Sequence, residues 1–226
     1  MTPTTLIVDY GGVLTSPLSA TVDPWLAAEG LDRGAFRALM REWFASDAAP
    51  NVGHDLETGS IAPAAFEREF ARRLRRTDGS MPDAEGLLGR MFTDFGMDPR
   101  MVAVLHTART HGLRTALLSN SWGFDYDRAD WDRLFDAVVI SGEVGMRKPD
   151  PGIYRHTAGV LGVDPAECVF VDDLAVNVRG AAAVGMIGIR HTDVETTVEQ
   201  MQVLFGLAFR PVAGQRATPD GPDGGG

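Results

Sequence analysis

Residues 6–15, LIVDYGGVLT, constrain the fold more than any other segment: an apolar run leads without interruption into one carboxylate, Asp9, and then into two glycines, Gly11 and Gly12. A continuous Leu/Ile/Val run is the pattern of a strand buried on both faces, and ligands in open α/β sheets bind outside the carboxyl ends of such strands. Asp9 stands at such an end. Four further short apolar runs, at 114–119 (RTALLS), 137–141 (AVVIS), 168–171 (CVFV) and 186–189 (MIGI), repeat the pattern, with helical spacing between them. Asp98 before Pro99 gives an N-cap and a proline at the first helical position, and Gly112 closes a helix near 99–111. Residues 149–161 and 175–184 also read as helices. Strands and helices in alternation predict an α/β fold, a Rossmann-like three-layer parallel sheet with right-handed crossovers.

The stretch from 16 to 95 breaks that rhythm. It has no convincing strand, and its apolar residues fall at helical spacing: Phe36, Leu39, Met40, Trp43 and Phe44 form one stripe, Phe66, Phe70 and Leu74 another, with Asp32 placed to cap the first helix. These stripes predict an all-helical insertion after the first strand, with the aromatic residues as core. Within it, Trp43 reads as a core residue and His54 as a solvent-facing histidine. Residues 196–209 predict a last helix, and 211–226, rich in Gly, Pro and Asp, a disordered tail. The expected organisation is a core over 1–15 and 96–210, interrupted by helices over 16–95.

The chain has 226 residues, 44% hydrophobic and 23% charged, the composition of an ordinary globular protein. Its formal net charge of -10 provides no basic footprint, which argues against nucleic acid and anionic membrane surfaces as partners. No apolar stretch approaches the ~20 residues needed to span a bilayer, and no basic segment precedes the first apolar run, so a cytoplasmic protein is expected. The single cysteine, Cys168, excludes an intrachain disulfide and lies in an apolar run as a buried small hydrophobe. Oligomeric state is left open.

On an acidic protein, an anionic substrate needs local cations or a metal. The strand reading places Asp9, Ser119 with Asn120, Lys148, and Asp172 with Asp173 beyond the ends of strands one to four, on one rim of a parallel sheet. Taken singly, each aspartate is a cap or turn residue, and Asp172 and Asp173 suit the start of the next helix. Taken together, three carboxylates, a lysine and a hydroxyl make a site for Mg2+ and phosphate, because magnesium prefers hard oxygen ligands and is commonly held by one or two carboxylates plus substrate phosphate. Such a metal would relieve the repulsion between Asp9 and a phosphoryl group. Lys148 and Ser119 would neutralise and hydrogen-bond the phosphoryl oxygens. Asn177, one turn into the following helix, either supports the site or stabilises the helix start, and Met146 and Arg147 shape the loop around Lys148.

The segments DYGGVLT, LLSNS, GMRKPDPGIY and VFVDDLAVNVRGAAAVGM, in this order and spacing, resemble the motifs of the haloacid dehalogenase superfamily, on its phosphatase-like side. The resemblance implies strand order 5-4-1-2-3, a small helical cap at 16–95 and Mg2+ as cofactor. It implies that Asp9 is the nucleophile that forms an aspartyl phosphate, that the carbonyl of Gly11 is a metal ligand, and that Ser119 and Asn120 position the phosphoryl group. Lys148 would bridge that group to the nucleophile, Asp173 bind Mg2+ directly and Asp172 act through water. The reaction implied is hydrolysis of a small phosphorylated metabolite, such as a sugar phosphate.

The chain departs from the family pattern at Gly11, where an aspartate usually protonates the leaving oxygen and then activates water. Loss of a positioned general acid or base costs on the order of 100- to 10,000-fold in rate. Three readings survive: a phosphatase whose substrate has a good leaving group or whose cap or bound water supplies the proton, a protein with a long-lived aspartyl phosphate, and a catalytically silent phosphate-binding module. The first is preferred. Dehalogenases of the superfamily lack the acidic pair present here at Asp172 and Asp173, which counts against carbon–halogen chemistry.

Overall fold

The computed structural model describes residues 2–44, 49–93, 95–123 and 126–209; the tail expected over 211–226 lies outside them. Among the described residues, five strands form one parallel sheet: β1 (Thr5–Val8), β2 (Arg114–Ser119), β3 (Ala137–Ile140), β4 (Cys168–Asp172) and β5 (Ile187–Arg190). Their order is β3-β2-β1-β4-β5, the 5-4-1-2-3 arrangement read in the opposite direction. β1 is central, and all four of its residues are buried.

Alternation along β1 divides its side chains between two layers of helices. Leu6 and Val8 face Met101, Val104 and Leu105 of α6 (Pro99–Thr110) and Val198, Met201 and Phe205 of α11 (Val194–Phe205). Ile7 faces the other way, into a cluster with Ile153, Tyr154 and Ala158 of α9 (Pro151–Leu161) and Ala181 of α10 (Ala175–Ala183). Burying each such side chain contributes roughly 1.5–3 kcal/mol relative to leaving it exposed. Asp98 caps α6, its carboxylate accepting from Arg100 N at 2.8 Å, as its place before Pro99 implies. The last helix begins at Val194, earlier than its apolar spacing suggests, because Asp193 caps it by accepting from Thr196 N. Two short helices, α7 (Trp131–Leu134) and α8 (Ser141–Val144), flank β3.

Between β1 and α6 the described chain holds five further α-helices: α1 (Leu18–Ala28), α2 (Arg33–Phe44), α3 (Val52–Glu57), α4 (Pro63–Arg73) and α5 (Leu87–Met91). They bury their own aromatic cluster, in which Trp25, Phe36, Trp43, Phe66 and Phe70 make ring contacts 5.3–6.4 Å apart. Phe36, Leu39 and Trp43 are the buried stripe of α2, and Asp32 caps that helix through Ala35 N at 2.7 Å. The segment leaves and rejoins the sheet at one place. Thr15 and Met97 form an antiparallel bridge there, and Asp98 N donates to Leu14 O at 2.6 Å.

Candidate active site

Strand register brings the site together. Val8 pairs with Val171 and with Leu117, so Asp9 emerges level with Asp172, and Ser119 ends the neighbouring strand. The main chain keeps this register one residue further, where Asp9 N donates to Val171 O at 2.9 Å. After Asp9 the chain makes one wide turn, closed by Thr15 N donating to Tyr10 O at 3.1 Å. The two glycines in that turn differ. Gly12 has φ +74°, and a Cβ there would stand 2.7 Å from Asp173 Oδ2, so the turn can lie against the acidic pair only with glycine. Gly11 has an ordinary backbone, with the Phe95 ring 3.6 Å from where its Cβ would be.

Lys148 ties the carboxylates together. Its Nζ lies 2.8 Å from Asp9 Oδ1 and 2.7 Å from Asp172 Oδ2, and the side chain is 1% exposed. Asn177 donates to both oxygens of Asp172, at 3.0 and 3.1 Å, and Leu174 N donates to Oδ1 at 2.8 Å. The oxygens of Asp172 thus serve Lys148 and the start of α10. Asn177 braces the carboxylate that holds the lysine and that also accepts from the main chain at the start of α10. Ser119 Oγ lies 3.1 Å from the Tyr126 hydroxyl. The Asn120 carboxamide clamps the Lys148 main chain, accepting from its N at 2.9 Å and donating to its O at 3.1 Å.

The site is overloaded with negative charge. Burial, together with Asp172 and Asp173, pushes Asp9 up to about 8 against the pull of Lys148. Burial and the adjacent Asp172 push Asp173 up to about 6. Burial also works against the Lys148 ammonium, but Asp172 and Asp9 outweigh it and hold its pKa above the ordinary lysine value. One oxygen each from Asp9, Asp172 and Asp173 lies within 4.8 Å of the others. Hard oxygen donors this close, with one lysine as buried countercharge, suit a small divalent cation.

A cavity of about 130 Å³ stands over these groups. Its floor holds Asp9, Gly11, Ser119, Lys148 and Asp173, while Leu18, Phe92, Phe95, Trp122 and Leu174 supply apolar walls. Glu57 of α3 also lines it, and sequence reasoning missed this residue. Its carboxylate accepts from Asn120 Nδ2 at 3.1 Å and from Arg147 Nε at 2.5 Å. Arg147 therefore does more than shape the loop. Tyr126 was missed as well; nothing in its local sequence ties it to Ser119. His54 is half-buried with Nε2 enclosed, not solvent-facing, and Trp43 is core as expected. Cys168 is fully buried, and burial pushes its thiol up to about 12.

Comparison with known proteins agrees with the fold and the family resemblance. The family model for haloacid dehalogenase-like hydrolases matches residues 4–185, and the chain belongs to that family. A sesquiterpene phosphatase of Aspergillus oryzae is 35% identical over 144 residues, 61% of this chain and 65% of that protein. A phosphoserine phosphatase of Thermus thermophilus is 36% identical over 173 residues, 72% of this chain and 65% of that protein. The chain thus matches just under two thirds of the length of either relative. A family enzyme of Bacteroides thetaiotaomicron, solved with magnesium and inorganic phosphate, shares the fold at TM-score 0.60 and 22% identity, over 83% of this chain and 93% of that one. Among the described residues, no helix is long and apolar enough to cross a membrane.

Proposed function

We propose that the protein is a divalent-cation-dependent phosphatase that hydrolyses a phosphomonoester with an apolar body through an aspartyl phosphate on Asp9. The observation that carries this reading is Lys148 Nζ set between Asp9 and Asp172 at 2.8 and 2.7 Å beneath a cavity that also holds Ser119 and Asp173. Asp9 and Asp173, with the Gly11 carbonyl, would hold Mg2+. When bound, the cation supplies positive charge that lowers the repulsion between a carboxylate and a phosphoryl group.

An Asp9 oxygen would attack phosphorus as the bond to the leaving oxygen breaks. Water would then attack the same phosphorus, releasing phosphate and returning the carboxylate. Lys148 and the Ser119 hydroxyl would bind the phosphoryl oxygens in both steps. Residues 16–95 would act as a cap whose aromatic wall excludes water.

The leaving group gets no acid from position 11, since Gly11 has no side chain. That favours a leaving oxygen of low basicity. The walls formed by Leu18, Phe92, Phe95 and Trp122 favour an apolar body over a sugar, one example of the small phosphorylated metabolite expected, and the sesquiterpene phosphatase relative is in keeping with this. A panel of aryl and alkyl phosphates, assayed with Mg2+ and with EDTA, tests the reading. Release with Mg2+, none with EDTA, and a steep fall in rate as the leaving group's pKa rises are expected. Absence of release across the panel would overturn the phosphatase reading, and a flat dependence would mean either that another group supplies the proton or that hydrolysis of the aspartyl phosphate limits the rate.

A further inference from the structure

We propose that Glu57 is a positioning residue, coupling the seating of the helical segment on the sheet to the setting of the Asn120–Lys148 loops. Only its consequence for phosphate binding rests on the phosphatase reading. Glu57 ends α3, and its side chain is buried although it carries a carboxylate. This one residue grips two loops of the sheet rim. Oε1 accepts from Asn120 in the loop after β2, and Oε2 from Arg147 in the loop after β3. Its backbone carbonyl accepts from the Ser141 hydroxyl, which in turn accepts from Ser121 N at 2.7 Å. Two residues on, Gly59 has φ +72°, and a Cβ there would collide with the Gly142 carbonyl, so the end of α3 is pressed backbone to backbone against α8.

The chemistry of the contact fixes a direction. Asn120 must offer Oδ1 to Lys148 N and Nδ2 to Lys148 O in order to clamp the lysine's main chain. A carboxylate only accepts, so Glu57 holds Nδ2 in the same orientation that the Lys148 main chain requires and anchors the carboxamide from the side of the helical segment. With the helical segment unseated, the Asn120 and Arg147 contacts are lost, and only the Lys148 main chain holds the carboxamide. The Arg147–Glu57 pair is a weak source of stability: burial outweighs Arg147 and leaves the Glu57 pKa raised. Its use is in register.

The test compares wild type with Glu57→Gln, Arg147→Met and the double variant. Two readouts are taken: titration with inorganic phosphate in the presence of Mg2+, and backbone hydrogen exchange without ligand. Glu57→Gln is expected to weaken phosphate binding roughly 10- to 100-fold, the scale of one lost charged hydrogen bond. It should also speed exchange in α3 and across 141–148 together, and the double variant should be no worse than the poorer single one. Faster exchange in α3 alone with phosphate affinity intact would overturn the proposal, as would additive losses in the double variant. Should Glu57→Gln not fold, Arg147→Lys, which keeps the charge but loses the Nε contact, is read in the same way. If wild type takes up no phosphate, the phosphatase reading falls, and joint or separate exchange of the two segments still decides the coupling.

Discussion

The floor of the cavity and its roof are held in place by different means. Asp9 and Ser119 in the floor, and Asp172 buried beneath it, stand at the ends of adjacent strands, where main-chain pairing sets their relative positions before any side chain is considered. Leu18, Phe92, Phe95 and Trp122 come from helix ends and connections, placed by ring contacts such as Phe92–Trp122 at 5.8 Å and Phe92–Phe95 at 5.3 Å. The floor is polar and charged and set by strand pairing, and the roof is apolar and assembled by packing. Substitutions in the floor should therefore act on turnover, whatever the substrate. Changes at the boundary between the two should act selectively.

The sharpest test of that contrast is Asp9→Asn. Asparagine keeps the shape and can still meet Lys148, but it is not a nucleophile toward phosphorus. Phosphate release is expected to fall by at least about 10,000-fold, the scale of removing a nucleophile that acts as a unit with its partners. Thermal stability should be unchanged or higher, since a carboxyl that burial pushes up to about 8 is costly to keep ionised. Residual metal-dependent turnover above a trace would break the assignment of the floor as the reacting end.

The same contrast explains what could be read from the chain. Asp9, Ser119, Lys148 and Asp172 each end or follow an apolar run, so the pattern that reveals the sheet also reveals them. Asn177 was visible but ambiguous, because the same residue one turn into a helix also suits its start. Glu57 was illegible. VGHDLE is too short for a periodicity to show which face is buried, and a glutamate is solvent-exposed in most contexts. Its partners Asn120 and Arg147 lie 63 and 90 residues away. The identity of the wall beside Gly11 was hidden for the same reason, since Phe95 reaches it only through the fold.

Gly11 lies on the boundary, and the two adjacent glycines give a paired test. Gly11 has an ordinary φ and space for a Cβ, whereas Gly12 has neither. Gly11→Asp should fold and restore an acid next to the leaving oxygen. Up to about 100-fold gain is expected on alkyl phosphates, the lower range for a positioned acid, with little change on aryl phosphates. Gly12→Ala should instead cost about 1–2 kcal/mol from left-handed backbone and displace Asp173. Its loss should be equal across the panel and accompanied by weaker Mg2+ binding. If Gly11→Asp speeds aryl and alkyl phosphates alike, leaving-group protonation does not limit the rate.

The smallest effect expected is in stability against pH at the contact between roof and floor. Unfolded, Glu57 titrates near its ordinary value of 4.5; folded, burial raises it despite Arg147 and Asn120. Above about pH 4.5 the unfolded chain gives up this proton more readily than the folded one, so the folded state holds more protons. By linkage, this carboxyl's contribution to stability is fully present below the unfolded value and declines as pH rises through the folded one. Glu57→Gln removes the titration but also leaves Arg147 without its partner, so the offset between the two proteins is uninformative and the slope is what counts. Urea denaturation from pH 4.5 to 7 should show wild type losing ground to Glu57→Gln as pH rises, by about 1 kcal/mol for each unit by which the folded value is raised. A gain instead of a loss would mean that the pull of Arg147 exceeds the cost of burial, and that the contact stabilises the folded state as well as setting its register.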